Sequence, residues 1–305
     1  MIYTLTPNPA VDMVVSCDEL KANRVTRTRD ASYSPNGKGL NVSFVLSHFG
    51  RPSTILGFFG GFTGSWIVEE AAKTCPVCSV PIEGITRVNV FVNAGENEYV
   101  MPNSGAPVPR EAQLEMFELM KRLEDIDALV VSGSLSPEMD QSFYLELCDL
   151  CHEKDIDLIL DTSNPILADV VEREPLLIKP NDEEINAIFG VDVSSPAQIE
   201  RALHEIHERG ARNILCTLGS AGAYFLDDAH LYHASPAKVK VYSTACAGDA
   251  SLAAFLSIWY ENRDAVVPAL TRAMATGANV AMSAGLGDLA LVEELEKQIE
   301  VTVVE

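Results

Sequence analysis

Asp249 stands at the foot of an apolar helical run, directly after Ala247-Gly248, and this placement is the strongest chemical signal in the chain. A turn that opens a helix offers free backbone N–H groups and the positive end of the helix dipole, where an anion is held. A carboxylate there repels the anion. Its presence makes sense if it takes a proton from a hydroxyl that attacks a phosphoryl group held by the same amides. Two further segments carry phosphate-compatible chemistry, Gly37-Lys38-Gly39-Leu40-Asn41 and Lys179-Pro180-Asn181-Asp182-Glu183-Glu184. In the first, a glycine turn lets the backbone approach a ligand, and Asn41 on the opening helical turn is placed to bond hydroxyls. In the second, Asn-x-x-Glu reads either as a helix cap or as a group near a magnesium ion and nucleotide phosphates, since Mg²⁺ keeps most of its waters.

Weaker candidates surround these. Asp12 follows Thr6-Pro7-Asn8-Pro9 just after the first strand, where a carboxylate can accept bonds from a diol or serve as a cap. Thr217-Leu218-Gly219-Ser220-Ala221-Gly222 is a hairpin turn or a backbone bed for a nucleotide. Neither a Walker A spacing nor a dinucleotide fingerprint exists, because Gly57, Gly60, Gly61 and Gly64 are wrongly spaced. Nicotinamide chemistry is therefore a distant alternative.

The net charge of −22 argues against nucleic acid and anionic membrane as partners, because both need a clustered positive surface. It also makes the few cations telling. For phosphorylated substrates, Arg27, Arg29, Lys38, Arg87 and Lys179 are the ones to gather around one cleft. Seven cysteines, an odd number, suggest reduced thiols, and the pairs Cys75-Cys78 and Cys148-Cys151 read better as buried hydrophobes than as zinc ligands. The opening residues do not resemble a signal peptide, and the uncharged stretch from Ala273 to Gly287 is too short for a membrane span. The expected location is the cytoplasm.

Positioning these groups requires an α/β fold. Apolar runs at Ile2 to Leu5, Thr54 to Phe59, Ala128 to Ser132, Leu158 to Asp161, Leu176 to Ile178 and Asn213 to Thr217 read as buried strands. Between them, Lys38 to Phe49, Ser65 to Thr74, Arg110 to Leu123, Ser142 to Glu153, Asp182 to Phe189 and Gln198 to Glu208 read as helices. The tail from Ala247 is helical in three pieces. This alternation predicts parallel βαβ units with ligands at the C-terminal strand ends. Arg24 to Arg29, with Arg27 and Arg29 on one face, and Arg87 to Val92, with Arg87 opposite three valines, read as strands of a small separate sheet overhanging those ends.

The order of these motifs resembles the ribokinase-like sugar kinases, in the branch of 1-phosphofructokinase and tagatose-6-phosphate kinase. It runs from Thr4-Leu5-Thr6-Pro7-Asn8-Pro9-Ala10-Val11-Asp12 through Gly37 to Val42, Ser132-Gly133-Ser134-Leu135, Lys179 to Glu184 and Thr217 to Gly222, ending at Ser243-Thr244-Ala245-Cys246-Ala247-Gly248-Asp249. The resemblance implies one doubly wound, mostly parallel domain over 1–305, with a small β lid from about 10–34 and 85–103 that commonly pairs two subunits. It further implies Asp249 as catalytic base with Ala247 and Gly248 as anion hole, and Asp12, Gly37, Lys38 and Asn41 as sugar contacts. Arg29 and Arg87 would hold a phosphate already on the sugar, with Arg27, Asn89 and Ser132 as further substrate candidates. Lys179, Asn181, Thr217, Gly219 and Gly222 would serve the nucleotide, and Glu184 would act indirectly on Mg²⁺.

The implied reaction moves the γ-phosphoryl group of Mg-ATP to a ketohexose phosphate, with fructose 1-phosphate first, tagatose 6-phosphate second and fructose 6-phosphate third. Two departures from the family pattern stand out. Cys246 replaces the first glycine of Gly-Ala-Gly-Asp, and Asn36 replaces a small residue before Gly37. A catalytically silent sugar-phosphate sensor, with its anion hole spoiled by Cys246, is the alternative reading.

Overall fold

The computed structural model of the chain describes residues 1–304. In chain order, β1 (Ile2–Thr6), β2 (Ala10–Cys17) and β3 (Arg29–Asn36) lead into α1 (Lys38–His48), β4 (Ser53–Gly60) and α2 (Gly61–Ala71). Next come β5 (Val77–Ile82), β6 (Arg87–Ala94), β7 (Asn97–Met101), α3 (Arg110–Arg122), β8 (Ala128–Ser132) and α4 (Ser142–Glu153). They are followed by β9 (Asp157–Asp161), α5 (Leu167–Val171), β10 (Leu177–Ile178), α6 (Asp182–Glu184), α7 (Pro196–Glu208) and β11 (Ile214–Thr217). The chain finishes with β12 (Ala223–Leu226), β13 (Leu231–Ala234), α8 (Ala247–Trp259), α9 (Val266–Ala281), α10 (Val292–Glu296) and β14 (Val301–Val303).

Ten strands form the large sheet in the order β14-β13-β12-β11-β10-β9-β8-β1-β4-β5, parallel from β11 to β5 and antiparallel beyond it. Alternation along each central strand feeds two cores. Leu129, Val131, Leu158 and Leu160 pack on one face with α3, α4, α5 and α7, whereas Ala128, Val130 and Ile159 pack on the other with α1, α8 and α9. A two-residue side-chain period on a sheet covered on both faces leaves no polar position in the strand centres, which is why these segments read as continuous apolar runs. Helix α8 is buried from Asp249 to Ser257, so its register, and with it Asp249, is locked by packing.

The second sheet has four strands in the order β3-β2-β6-β7. Parallel pairing of β2 with β6 sets Asp12 beside Asn89 and Ala10 beside Arg87. Sequence reasoning missed β2, β5, β7 and β12 to β14, which are edge or small-sheet strands lacking the long apolar run. It also misplaced one strand. Residues 24–28 lie outside any strand, with Val25 92% exposed and Asn23 at φ 59°, and β3 begins only at Arg29. Alternating charge without an apolar face to bury gives a segment no reason to join a sheet.

Candidate active site

The C-terminal ends of the parallel strands and the first turns of α1, α6 and α8 enclose a cleft of ≈ 1230 Å³. At the start of α1, the Leu40 amide donates to Thr6 Oγ1 at the end of β1. Gly37 sits at φ 152°, where a Cβ would come within 2.6 Å of Thr6 Cγ2, so only glycine lets the turn lie this close to β1. Lys38 and Asn41 then face the cleft.

Asp249, 5% exposed, lines the cleft from the first turn of α8. Asn41 Nδ2 donates to its Oδ2 at 2.9 Å. Burial, reinforced by the nearby negative charge of Asp161, raises the Asp249 carboxyl to about 6, against the pull of Lys38, Asn41 and Lys179. The first intrahelical bond of α8 runs from the Ala250 amide to the Cys246 carbonyl, and the Ala247 amide reaches the Thr244 carbonyl at 3.3 Å. The expected anion hole is thereby reduced, since Ala247 is already engaged. Gly248 and Asp249 retain amides with no partner among the described residues. Cys246 adopts φ 63°, so this turn keeps the left-handed conformation that glycine would supply, at a cost of about 1–2 kcal/mol.

Sequence reasoning missed Asp161. It ends β9, is 0% exposed, and binds Lys179 Nζ at 3.1 Å and Lys38 Nζ at 3.4 Å. Burial alone would raise its carboxyl, yet the two ammonium groups outweigh burial and hold it below the usual range. Lys38 is raised by the same pairing. The signal was present, because an acid closing an otherwise apolar parallel strand points at the crevice where ligands bind. Lys179 Nζ also approaches Gly248, so closely that a Cβ there would stand 3.4 Å from it.

Asn181 and Glu184 form a reciprocal capping box: the Glu184 amide donates to Asn181 Oδ1 at 2.7 Å and the Asn181 amide to Glu184 Oε2 at 3.0 Å. Both residues still line the cleft. A backbone bridge joins Asn181 to Thr217, and the turn to Gly222 follows as a hairpin between β11 and β12. Thr217, Gly219 and Gly222 all face the cleft. A Cβ on Gly222, at φ 92°, would strike the Ala234 carbonyl oxygen at 2.1 Å.

On the small sheet, Asp12 accepts from Asn89 Nδ2 at 2.8 Å and from Asn36 Nδ2. Burial raises its carboxyl, opposed by both amides and by Arg87. Arg87 is half-buried and donates to the backbone carbonyls of Asn8 at 2.8 Å and Asn103 at 3.1 Å, while its Nε has no partner.

Three expected contacts are not brought to the cleft. Arg29 pairs with Asp18 at 3.0 Å, and its register opposite Ser16, against Ser34 opposite Asp12, sets it five residues, roughly 17 Å, along the strand. Arg27 is exposed in the preceding loop. Ser132 is 0% exposed, and its hydroxyl, at the end of β8, has no hydrogen-bond partner. Among the described residues, no group of three or more His, Cys, Asp or Glu side chains could cage a metal, and no helix is long and apolar enough to cross a membrane.

Known proteins share this arrangement. The chain is 46% identical to a D-tagatose-1-phosphate kinase of Klebsiella oxytoca over 302 residues, covering 99% of each chain. It is 33% identical to a 1-phosphofructokinase of Haloferax volcanii over 308 residues, covering 100% of this chain and 99% of the relative. In structure it matches a mutant of phosphofructokinase-2 from Escherichia coli with a TM-score of 0.90 at 25% identity, covering 97% of this chain and 98% of that one. The description "pfkB family carbohydrate kinase" matches residues 6–291, and with a carboxylate, two free amides and paired lysines around one cleft, the chain belongs to that family of carbohydrate kinases.

Proposed function

We propose that the chain transfers the γ-phosphoryl group of ATP to the free primary hydroxyl of a ketohexose 1-phosphate. The observation that carries this reading is the shared first turn of α8, where Asp249 and the unpartnered amides of Gly248 and Asp249 border the cleft beside Lys179. Asp249 takes the hydroxyl proton, and the amides with Lys179 stabilise charge on the transferring group. A carboxyl near 6 is mostly ionised at neutral pH while remaining a better base than an ordinary aspartate.

Asp12, Asn41 and Lys38 serve the sugar, and Arg87 on the small sheet, acting as a lid, holds its existing phosphate. The hairpin from Thr217 to Gly222 beds the nucleotide. The donor set suits a Mg²⁺ that arrives on the nucleotide phosphates, because the nearby carboxylates at Asp182, Glu183 and Glu184 form no cage. Such an ion would supply charge neutralisation, with Glu184 acting through its waters.

Sugar identity is weighted by the relatives. The two D-tagatose-1-phosphate kinases, from Klebsiella oxytoca and Bacillus licheniformis, are 46% and 40% identical, against 29–33% for the 1-phosphofructokinases. D-Tagatose 1-phosphate, which the motifs alone did not suggest, therefore moves ahead of fructose 1-phosphate, and the 6-phosphates follow. The left-handed Cys246 speaks against the silent-sensor alternative, because the turn is formed despite the substitution. Exposed Tyr33, Tyr99, Val100 and Met101 on β3 and β7 support pairing of two copies through the small sheet. An ADP-release assay across tagatose 1-phosphate, fructose 1-phosphate and both 6-phosphates tests the proposal. ADP production is expected to be fastest with a 1-phosphate, and no production with any of the four sinks it.

A further inference from the structure

Asn36 and Cys246, the two departures from the family pattern, lie 210 positions apart in the chain and meet at one amide. Asn41 Nδ2 is 3.2 Å from Asn36 Oδ1, 3.3 Å from Cys246 Sγ and 2.9 Å from Asp249 Oδ2. All four residues border the cleft. Asn36 Nδ2 in turn donates to Asp12 Oδ2, whose other oxygen accepts from Asn89. One side-chain amide thus ties the acid of the small sheet to the group that holds the base.

The hydrogen-bond account of Asn36 is nearly closed. Its Oδ1 accepts from the Gly37 amide and from Asn41, and one of its two Nδ2 protons goes to Asp12. The second N–H is left beside a carboxylate that can still accept. A donor next to an acceptor matches a secondary hydroxyl, which both gives and takes a hydrogen bond. A glycine at this position would offer neither the donor nor the spacing. A sugar whose hydroxyl turns the other way leaves both groups unpaired in a largely buried place, which is where selection against a near-identical ligand becomes large.

We propose that Asn36 is a specificity-determining residue, reading with Asp12 the configuration of one secondary hydroxyl and so separating ketohexose 1-phosphates that differ at a single carbon. Cys246 is a positioning residue that acts through the shared Asn41. The inference rests on the ketohexose phosphate kinase reading above.

D-Tagatose and D-fructose 1-phosphates, which differ only at C4, are the probes. Steady-state kcat/KM is measured for each with the full-length protein, with Asn36→Gly and with Asn36→Ser, all checked for folding by thermal melting. The wild type is expected to prefer one epimer, and Asn36→Gly to shrink that preference about tenfold or more, chiefly through KM of the favoured sugar. Asn36→Ser, which keeps a hydroxyl donor, should retain part of it. Cys246→Gly should alter the pH profile of kcat rather than the epimer ratio. A wild type that uses both epimers equally, or an Asn36→Gly variant that is active with an unchanged ratio, overturns the inference while leaving the kinase reading intact. A wild type inactive on every ketohexose phosphate overturns both.

Discussion

Asp161 and Asp249 stand on the floor of the cleft, 0% and 5% exposed, whereas Arg29 and Arg87 project from the small sheet, one open to solvent and one half-buried. On the floor, charge is held by partners from four separate elements, and the two acids are driven in opposite directions. Asp161 has two lysines and stays ionised. Asp249 has an amide, the repulsion of Asp161 and more distant lysines, and its carboxyl rises to about 6. On the small sheet, the arginines bond backbone carbonyls or surface acids. Buried charge is costly to leave unpaired, so a floor built this way is rigid and suits bond-making, while the sheet can exchange its partners for a ligand.

The floor is where substitution should cost most. Asp249→Asn is expected to lower kcat by roughly 10²–10⁴ with the sugar KM nearly unchanged, read by steady-state kinetics. Near-normal turnover would remove Asp249 from its role. In the wild type, kcat should climb as pH rises through about 6 and level off above it, since only the ionised form accepts a proton. The stability effect has the opposite sense. A carboxyl raised in the folded state binds more protons there than in the unfolded chain, so its contribution falls as pH rises from 3.8 towards 6. Asp249→Asn should therefore raise the melting temperature at neutral pH more than at pH 4.

Asp161→Asn tests the pairing itself. It strands Lys179, 5% exposed, and should destabilise the fold by about 3–5 kcal/mol in a denaturant titration. Lys38, with 42% of its side chain exposed, can turn to water and adds little. A loss under about 1 kcal/mol would mean the floor is softer than its geometry implies.

The arginines sharpen the contrast. Arg87→Ala should raise the sugar-phosphate KM roughly tenfold or more and spare kcat, as expected for a lost charge-assisted contact. An unchanged KM would take Arg87 out of the binding surface. Arg29→Ala should change neither stability nor KM appreciably, because an exposed ion pair contributes about 0–1 kcal/mol. A KM effect as large as that of Arg87 would erase the distinction and bring Arg29 to a cleft it does not reach within one chain.

How far the sequence could be read depended on whether a residue's role is local. The central strands were legible because burial on both faces writes itself as an apolar run, as in Ala128 to Ser132. The tail's three helices and the first turn of α8 were legible from periodicity and from Ala247-Gly248-Asp249. The capping box of Asn181 and Glu184 was legible because it needs only four consecutive residues. Arg27 and Ser132 misled, since residue type and strand register say nothing about a missing apolar face or a hydroxyl turned inward.

By itself the sequence determined the α/β alternation, the helical turn that carries Asp249, and the set of polar groups available to a phosphoryl-transfer site. Tertiary structure alone decided which of them meet: that Asp161 joins Lys38 to Lys179, that Arg29 is spent on Asp18, and that Asn36 and Cys246 converge on Asn41. Local patterns are set by side chains a few positions apart. Contacts across 123 or 205 positions depend on how strands register and helices pack, and no window of sequence carries that information.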